Sequence, residues 1–289
     1  MPKFFKYAGS KKDAARIIAL YMRNALSEGK PVFFPFIGSG GLFWHLMDKG
    51  SLANNVVYVN DANPYLIEAW KSLLTLKATN MMINELECLR EREETIGRQA
   101  THKYVRGKVR NGEYATWNEG EVGAAFIYLC QTSYNGLWRV NSAGKMNTPP
   151  SKVKLPSDWS NIRRAAHAIQ QHGNIHINCR LWADEFEWLK SYFTEGVVYC
   201  DPPYYNSSHI AYHKGFKEWE EEGQRVFERE CHGLVADGLD VFTSNSAEAI
   251  ELWKEFWECR LIDTKRSISC KSNGRGVKQE LLTIGLKDQ

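Results

Sequence analysis

An acid, two prolines and an aromatic ring stand in series at Asp201-Pro202-Pro203-Tyr204, directly after the apolar run Val197-Val198-Tyr199-Cys200. Those residue types at that spacing suit chemistry on an exocyclic amino group of a nucleobase. Such an amine is a poor nucleophile, because its lone pair is delocalised into the ring and its nitrogen is nearly planar. A carboxylate and an adjacent backbone carbonyl can each accept one of its hydrogens, drawing the nitrogen towards tetrahedral geometry with its lone pair aimed at a methyl donor. Proline suits the carbonyl role, since it holds φ at about −65° and offers no N–H. The Tyr204 ring can stack on a base swung out of a duplex, where the amine becomes accessible. A polar turn closing a core strand would account for Pro-Pro alone, but not for the acid and ring around it.

A methyl transfer needs a donor pocket, and the elements of one lie near the N-terminus. Val32-Phe33-Phe34-Pro35-Phe36-Ile37-Gly38-Ser39-Gly40-Gly41 reads as a buried strand entering a glycine-rich turn, followed by the amphipathic stretch Leu42 to Met47. Glycines there let a ligand approach the backbone closely. The next apolar run, Val56-Val57-Tyr58-Val59, ends at Asn60-Asp61-Ala62-Asn63-Pro64, so Asp61 stands at the tip of a second strand. An acid in that place commonly holds a ribose diol in doubly wound sheets. Asp61 reads equally as a helix N-cap ahead of Pro64, and the two roles are compatible. These residues point to a nucleoside pocket, and by themselves do not separate a nicotinamide cofactor from S-adenosylmethionine.

Taken in order, these segments resemble the Dam family of DNA adenine methyltransferases. Lys6-Tyr7-Ala8-Gly9-Ser10-Lys11 is similar to the family's N-terminal Lys-Trp-Ala-Gly-Gly-Lys motif, and Pro35-Phe36-Ile37-Gly38-Ser39-Gly40 to its Pro-Phe-x-Gly-x-Gly loop. Asp61 falls on the ribose acid and Tyr199 to Tyr204 on the catalytic motif; Ala211-Tyr212-His213, Phe216, Ser244-Asn245, Arg266 to Ser269 and Glu280-Leu281-Leu282 resemble later segments. The resemblance implies S-adenosylmethionine as cofactor, held by Tyr7, Lys11, Pro35, Phe36, Gly38, Gly40, Asp61, Asp184 and Asp201. It implies Asp201, Pro202, Pro203 and Tyr204 as the catalytic set, with Asp184 against the cofactor's adenine. One departure is plain: family members usually carry Asp or Glu where this chain has Phe34, which removes one anchor for the methionyl ammonium and implies weaker cofactor binding unless another acid compensates.

Residues 76–156 separate the cofactor half from the catalytic half. They begin with the Glu/Arg-rich helical stretch Met81 to Glu94 and continue with the basic run Arg98, His102, Lys103, Arg106, Lys108 and Arg110, which reads as phosphate contact beside a DNA-modifying site. After an apolar helical stretch, Gly123 to Cys130, the turn signals Asn135-Gly136 and Ala143-Gly144 frame Arg139 on a short candidate hairpin. Arginine matches the two major-groove acceptors of guanine, and asparagine can pair with base edges. This segment is similar to the Dam-family recognition hairpin. The resemblance puts Lys6, Asn135, Leu137, Arg139 and Pro149 opposite the bases of G-A-T-C, while Pro150-Ser151-Lys152-Val153 departs from the usual Phe-Gly.

Two fragments of one catalytic domain, 1–75 and 157–289, and an inserted recognition domain, 76–156, fit a chain of 289 residues. The expected fold is an α/β doubly wound methyltransferase sheet, interrupted by a mainly helical target-recognition insert that carries a β-hairpin. A net charge of only +3 requires DNA affinity to come from clustered charge, and besides the insert Lys265, Arg266, Lys271, Arg275 and Lys278 form such a cluster. Glu218 to Glu222 reads as a solvated helix start, and Ala247 to Glu258 as a helix with Trp253 and Trp257 on one face. The seven cysteines are scattered without Cys-x-x-Cys spacing, so neither disulfides nor a metal is expected. With no signal peptide or membrane-spanning run, the expectation is a soluble cytoplasmic protein of bacterial or phage type, monomeric or dimeric on double-stranded DNA.

The expected reaction is direct transfer to the amino group of a flipped adenine. Carbon-five methylation of cytosine is disfavoured, because it requires a nucleophilic thiolate, usually in Pro-Cys, and no cysteine here follows a proline. The loop Tyr205 to Phe216 is expected to close over the base. Three other readings stay open on sequence alone: methylation of cytosine's amino group, which usually employs Ser where this chain has Asp201; methylation of protein glutamine or RNA; and a DNA-binding relative without activity.

Overall fold

Val32-Phe33-Phe34, Val57-Tyr58-Val59 and Val197-Val198-Tyr199-Cys200 are continuous apolar runs, as strands covered on both faces require. The computed structural model, which describes residues 4–7, 12–113, 117–205, 219–265 and 277–287, assembles them into one sheet. In chain order, helices α1 (Lys12–Tyr21) and α2 (Arg23–Ser27) precede β1 (Val32–Phe34), α3 (Gly41–Asp48), β2 (Val57–Asn60) and α4 (Pro64–Lys71). The insert then contributes α5 (Leu76–Ile96), α6 (Arg98–Arg110) and α7 (Glu119–Thr132). The second half comprises α8 (Ser160–His172), β3 (Ile175–Asn178), α9 (Trp182–Tyr192), β4 (Gly196–Cys200), α10 (Glu221–Ala236), β5 (Leu239–Ser246), α11 (Ile250–Trp253), β6 (Glu258–Lys265) and β7 (Val277–Gly285).

The strand order is β3-β2-β1-β4-β5-β7-β6. β1 pairs in parallel with both β2 and β4, β2 with β3, and β4 with β5, whereas β7 runs antiparallel to β5 and β6. The chain therefore winds outward from β1 through β2 to β3 and returns on the other side of β1 as β4. In an open α/β sheet that reversal leaves a crevice at the strand carboxyl ends, and ligands bind there. The glycine-rich turn, Asp61 and Asp201 all emerge into it, because they directly follow β1, β2 and β4.

Side chains alternate across the sheet with the two-residue period of a strand. Val32, Phe34, Val197 and Tyr199 join one buried cluster with α1, α3 and α4, while Phe33, Val198 and Cys200 join another with Phe186, Leu189 and Phe227. The insert is continuous with the first cluster: Met82 and Leu86 of α5 and Phe126 of α7 are fully buried in it. The expected helix over Ala247 to Glu258 is shorter. A 3-10 turn, Ala247–Ala249, leads into the four-residue α11, and β6 starts at Glu258 so that it can pair with β7. Trp253 ends α11 and Trp257 lies in the connection just before β6, and the two rings pack edge to face at 5.2 Å in the core, as their expected packing role requires.

Candidate active site

The crevice is organised around β2. The buried Asn60 amide donates to the carbonyls of Pro35 and Arg180 at 3.1 Å each, and its oxygen accepts from Arg180 N–H at 2.8 Å. One side chain thus ties together the chain leaving β1, β2 and β3. The Asp61 carboxylate accepts from Gly38 N–H at 3.1 Å and from Asn63 N–H at 3.0 Å, which closes the glycine-rich turn onto the β2 loop. The helix cap is Asn63 rather than Asp61: Asn63 accepts from Tyr65 N–H, with Pro64 in the first helical position. A carboxylate accepts about four hydrogen bonds, so this anchoring is compatible with ribose hydroxyls as further donors.

Both glycines of the turn are required by backbone shape. Gly38 has φ 47° and Gly40 φ 71°, and a Cβ on Gly40 would lie 2.7 Å from the Trp70 ring. Trp70 stacks on Trp44 at 5.2 Å and donates its indole N–H to the Gly38 carbonyl at 3.0 Å. Tyr7 stands beside Gly38, its ring 3.9 Å from the position a Cβ would take there, and packs on Phe5 and Phe126. A turn without side chains, an aromatic wall and a strand-end carboxylate fit the nucleoside and methionyl parts of S-adenosylmethionine. Phe34 turns into the core against Phe43 and Tyr199, so no carboxylate faces the crevice from that position. Phe36 packs on Trp219 and Phe227. Asp184 is exposed in the first turn of α9; its neighbour Glu185 is the buried acid, bonded to Asn178 and to Arg180 at 2.9 Å. Burial raises the Glu185 carboxyl above its ordinary range, and Arg180 and Asn178 oppose that shift.

The Asp201-Pro202-Pro203-Tyr204 loop after β4 rests on a second set of buried amides. Gln224 of α10 donates to the Pro203 carbonyl at 3.1 Å and accepts from Asn245 at 2.8 Å, while Asn245 accepts from Tyr205 N–H at 2.9 Å. Ser246 donates to the Tyr205 carbonyl at 2.9 Å. The two proline carbonyls are therefore not equivalent, because Pro203 is engaged by the scaffold and only Pro202 is offered without a donor among the described residues. Tyr204 donates to Glu280 of β7 at 3.3 Å, which directs its ring. Beneath the loop, Tyr199 shares a 2.7 Å hydrogen bond with Ser244; burial and the nearby Asp201 charge push its phenol well above the ordinary range, so it stays neutral.

The expected hairpin is held by two isolated antiparallel bridges, Ser133 to Pro150 and Val140 to Met146, rather than by a regular ladder. Trp138, Val140 and Met146 are buried, while Asn135, Arg139 and Pro149 are exposed and Leu137 is partly covered. Arg139 Nε donates to Asn147 at 2.8 Å. Asn135 adopts φ 55°, a left-handed conformation that asparagine tolerates better than most residues. The Lys6 stem lies across Gly136, where a Cβ would meet it at 2.7 Å, so the segment carrying Lys6 and Tyr7 spans the cofactor turn and the hairpin. Tyr134 is 55% exposed beside Asn135 and was not singled out from sequence; its position directly before the turn signal Asn135-Gly136 was the available clue. Asn60 and Gln224 carried no motif signal for positioning the loops, and Asn245 carried one only as part of the family-like pair Ser244-Asn245. The basic run divides: Arg98, His102 and Arg106 face the hairpin, and Lys103 and Arg110 are exposed. Lys11, residues 206–218, and 266–276 with Arg266, Lys271 and Arg275 of the basic cluster lie outside the described residues, while Lys265 of that cluster ends β6 and Lys278 stands near the start of β7.

Among the described residues no helix is long and apolar enough to cross a membrane, and no three His, Cys, Asp or Glu side chains gather as a metal site. Residues 7–266 match the family described as D12 class N6 adenine-specific DNA methyltransferase. The chain is similar to the type II methyltransferase M.MjaIII of Methanocaldococcus jannaschii, 28% identical over 94% of each chain. It is also 28% identical to the type II methyltransferase M1.LlaDCHI of Lactococcus lactis subsp. cremoris, over 96% of this chain and 93% of that one. The DNA adenine methylase of Escherichia coli strain K12 is 24% identical, over 97% of this chain and 94% of its own. The match resolves the choice among amino-group acceptors that the motif left open: the chain belongs to the D12 class of N6 adenine-specific DNA methyltransferases, and it methylates adenine in DNA at specific sites using S-adenosylmethionine.

Proposed function

We propose that the target is adenine within G-A-T-C, read by residues 76–156 and methylated by the domain formed from 1–75 and 157–289. The observation that carries this reading is the joint exposure of Asn135, Arg139 and Pro149 on one loop, with Lys6 lying against its turn. A guanidinium can take both major-groove acceptors of guanine, and an amide can pair with an adenine edge. Tyr134 adds an exposed ring beside Asn135, suited to stacking where a base has left the helix.

S-adenosylmethionine supplies a methyl group on a positively charged sulfur. Gly38, Gly40, Tyr7 and Asp61 hold it, with Pro35, Phe36 and Lys11 completing the pocket and Asp184 reaching its adenine. Asp201 accepts one hydrogen of the target amine and the Pro202 carbonyl accepts the other, which frees the nitrogen lone pair for attack. Pro203 contributes rigidity, because its carbonyl already accepts from Gln224. Tyr204 stacks on the flipped adenine, with its hydroxyl tied to Glu280.

Tritiated methyl transfer to a duplex containing one G-A-T-C tests this reading, with G-A-T-T and G-T-T-C duplexes and Asp201→Ala protein as controls. Label in adenine of the first duplex only, lost in the variant, is expected. Equal labelling of the altered duplexes would overturn the target assignment, and label surviving Asp201→Ala would overturn the catalytic one.

A further inference from the structure

The basic helix α6 contacts the recognition segment through residues four apart. Arg98 donates to the Lys152 carbonyl at 2.5 Å, and Arg106 donates to the Thr148 carbonyl at 3.2 Å. Between them His102 Nε2 and Ser133 Oγ lie 3.1 Å apart, both fully buried, and Ser133 is bridged to Pro150. The points reached on the returning strand thus run 152, 150 (through Ser133) and 148 as the helix runs 98, 102 and 106. Four helical residues rise about 6 Å and two extended residues about 6.6 Å, so the spacings coincide. Two of the three contacts are passed on towards exposed residues of the loop. Thr148 Oγ1 accepts the backbone N–H of Arg139 at 3.2 Å, and the Ser133 carbonyl accepts Gly136 N–H at 3.0 Å, directly after Asn135.

We infer that Arg98, His102 and Arg106 are positioning residues that clamp the hairpin in its base-reading pose and thereby set sequence discrimination, rather than phosphate contacts. This rests on the reading that residues 133–149 face the bases. The clamp is needed because two isolated bridges leave the segment without a ladder of its own. Since each arginine donates an N–H to a backbone carbonyl, it holds the chain whatever side chains the segment carries.

The test compares wild type, Arg106→Met and Arg106→Lys for methylation of the duplex that wild type prefers and of duplexes with one base pair changed, across a salt series. Arg106→Met is expected to lower kcat/KM on the preferred duplex by about tenfold and to narrow discrimination by a similar factor. Its salt slope and its affinity for S-adenosylmethionine should match wild type. Arg106→Lys, which still donates to a carbonyl, should recover most of the loss. A salt slope reduced by about one with discrimination intact would mark Arg106 as a phosphate contact and overturn the inference. Should Arg106→Met fail to fold, Thr148→Val removes the acceptor for Arg139 N–H and carries the same readout. Because the reference is whichever duplex wild type selects, a protein that prefers a sequence other than G-A-T-C refutes the target assignment while leaving the clamp testable.

Discussion

The crevice proposed for methyl transfer and the hairpin segment proposed to read bases are both made of loops, yet they are held in place by different physics. Every crevice loop leaves a strand already paired in the sheet, and buried amides then fix its first residues: Asn60 for the turns after β1 and β3, Asn245 and Gln224 for the loop after β4. The recognition segment departs from a helix end and has two isolated bridges, so its pose depends on side chains reaching across from α6. Moving a crevice loop disturbs the core of the fold. Moving the hairpin breaks a few hydrogen bonds and unseats Trp138, Val140 and Met146, without touching the strand ends that carry Asp61 and Asp201.

The comparison can be broken most sharply at Asp201. Asp201→Asn is expected to slow single-turnover methyl transfer by about a thousandfold, because the amide cannot accept as the anion does. Its effect on DNA sequence preference should be negligible, measured on the same duplex panel. Next in size, Asn60→Ala leaves the Pro35 and Arg180 backbone groups without their partner in a buried place and should cost about 4 kcal/mol of stability. Denaturant melts would show it, and calorimetry should show weakened S-adenosylmethionine binding; an unchanged melt would deny Asn60 its role as the tie between loops.

A pH series sharpens the other side. Burial and Arg106 hold the His102 imidazole down at about 4, below its ordinary 6.5, so the folded protein keeps it neutral. Its folded pKa is depressed, so the associated stability is complete above pH 6.5 and is lost as pH falls towards 4, by about 3 kcal/mol in all. The raised Glu185 carboxyl works in the opposite direction, so the quantity to measure is the difference between wild type and His102→Gln melts over that interval. A difference that does not vary with pH would place His102 outside the packed interface. The smallest effect is expected at Asn135. Asn135→Gly keeps the left-handed turn without strain and removes the amide, so discrimination should fall about tenfold while the turn geometry is retained. Full discrimination in the glycine variant would assign Asn135 to turn geometry alone.

The crevice was more legible in sequence than the hairpin, and particular residues show why. Asp61 and Asp201 were readable because each directly follows an apolar run, and a run of that kind announces both a strand and where it stops. Arg98, His102 and Arg106 were read as a basic surface because charge alone carries no direction. Whether a guanidinium meets a phosphate or a carbonyl of its own chain depends on what lies across from the helix. Asn60 and Gln224 carried no positional signal either, since a buried amide is defined by partners such as Arg180 and Asn245 that are distant in the chain. Trp253 and Trp257 do pack as a ring pair, but the helix expected to carry both stops at Trp253, because β6 must start at Glu258 to pair with β7.

By itself the sequence determined the class of sheet and narrowed the chemistry to transfer onto an amino group, because strand runs, turn glycines and the Asp-Pro-Pro-Tyr series act through neighbours along the chain. Tertiary structure alone decided that Pro203's carbonyl is spent on the scaffold, that Phe34 turns into the core, that Lys6 leans on the recognition turn, and that α6 grips the hairpin. Each of those outcomes is a hydrogen bond or a packing contact between segments far apart in sequence, and only folding brings such groups within reach of one another.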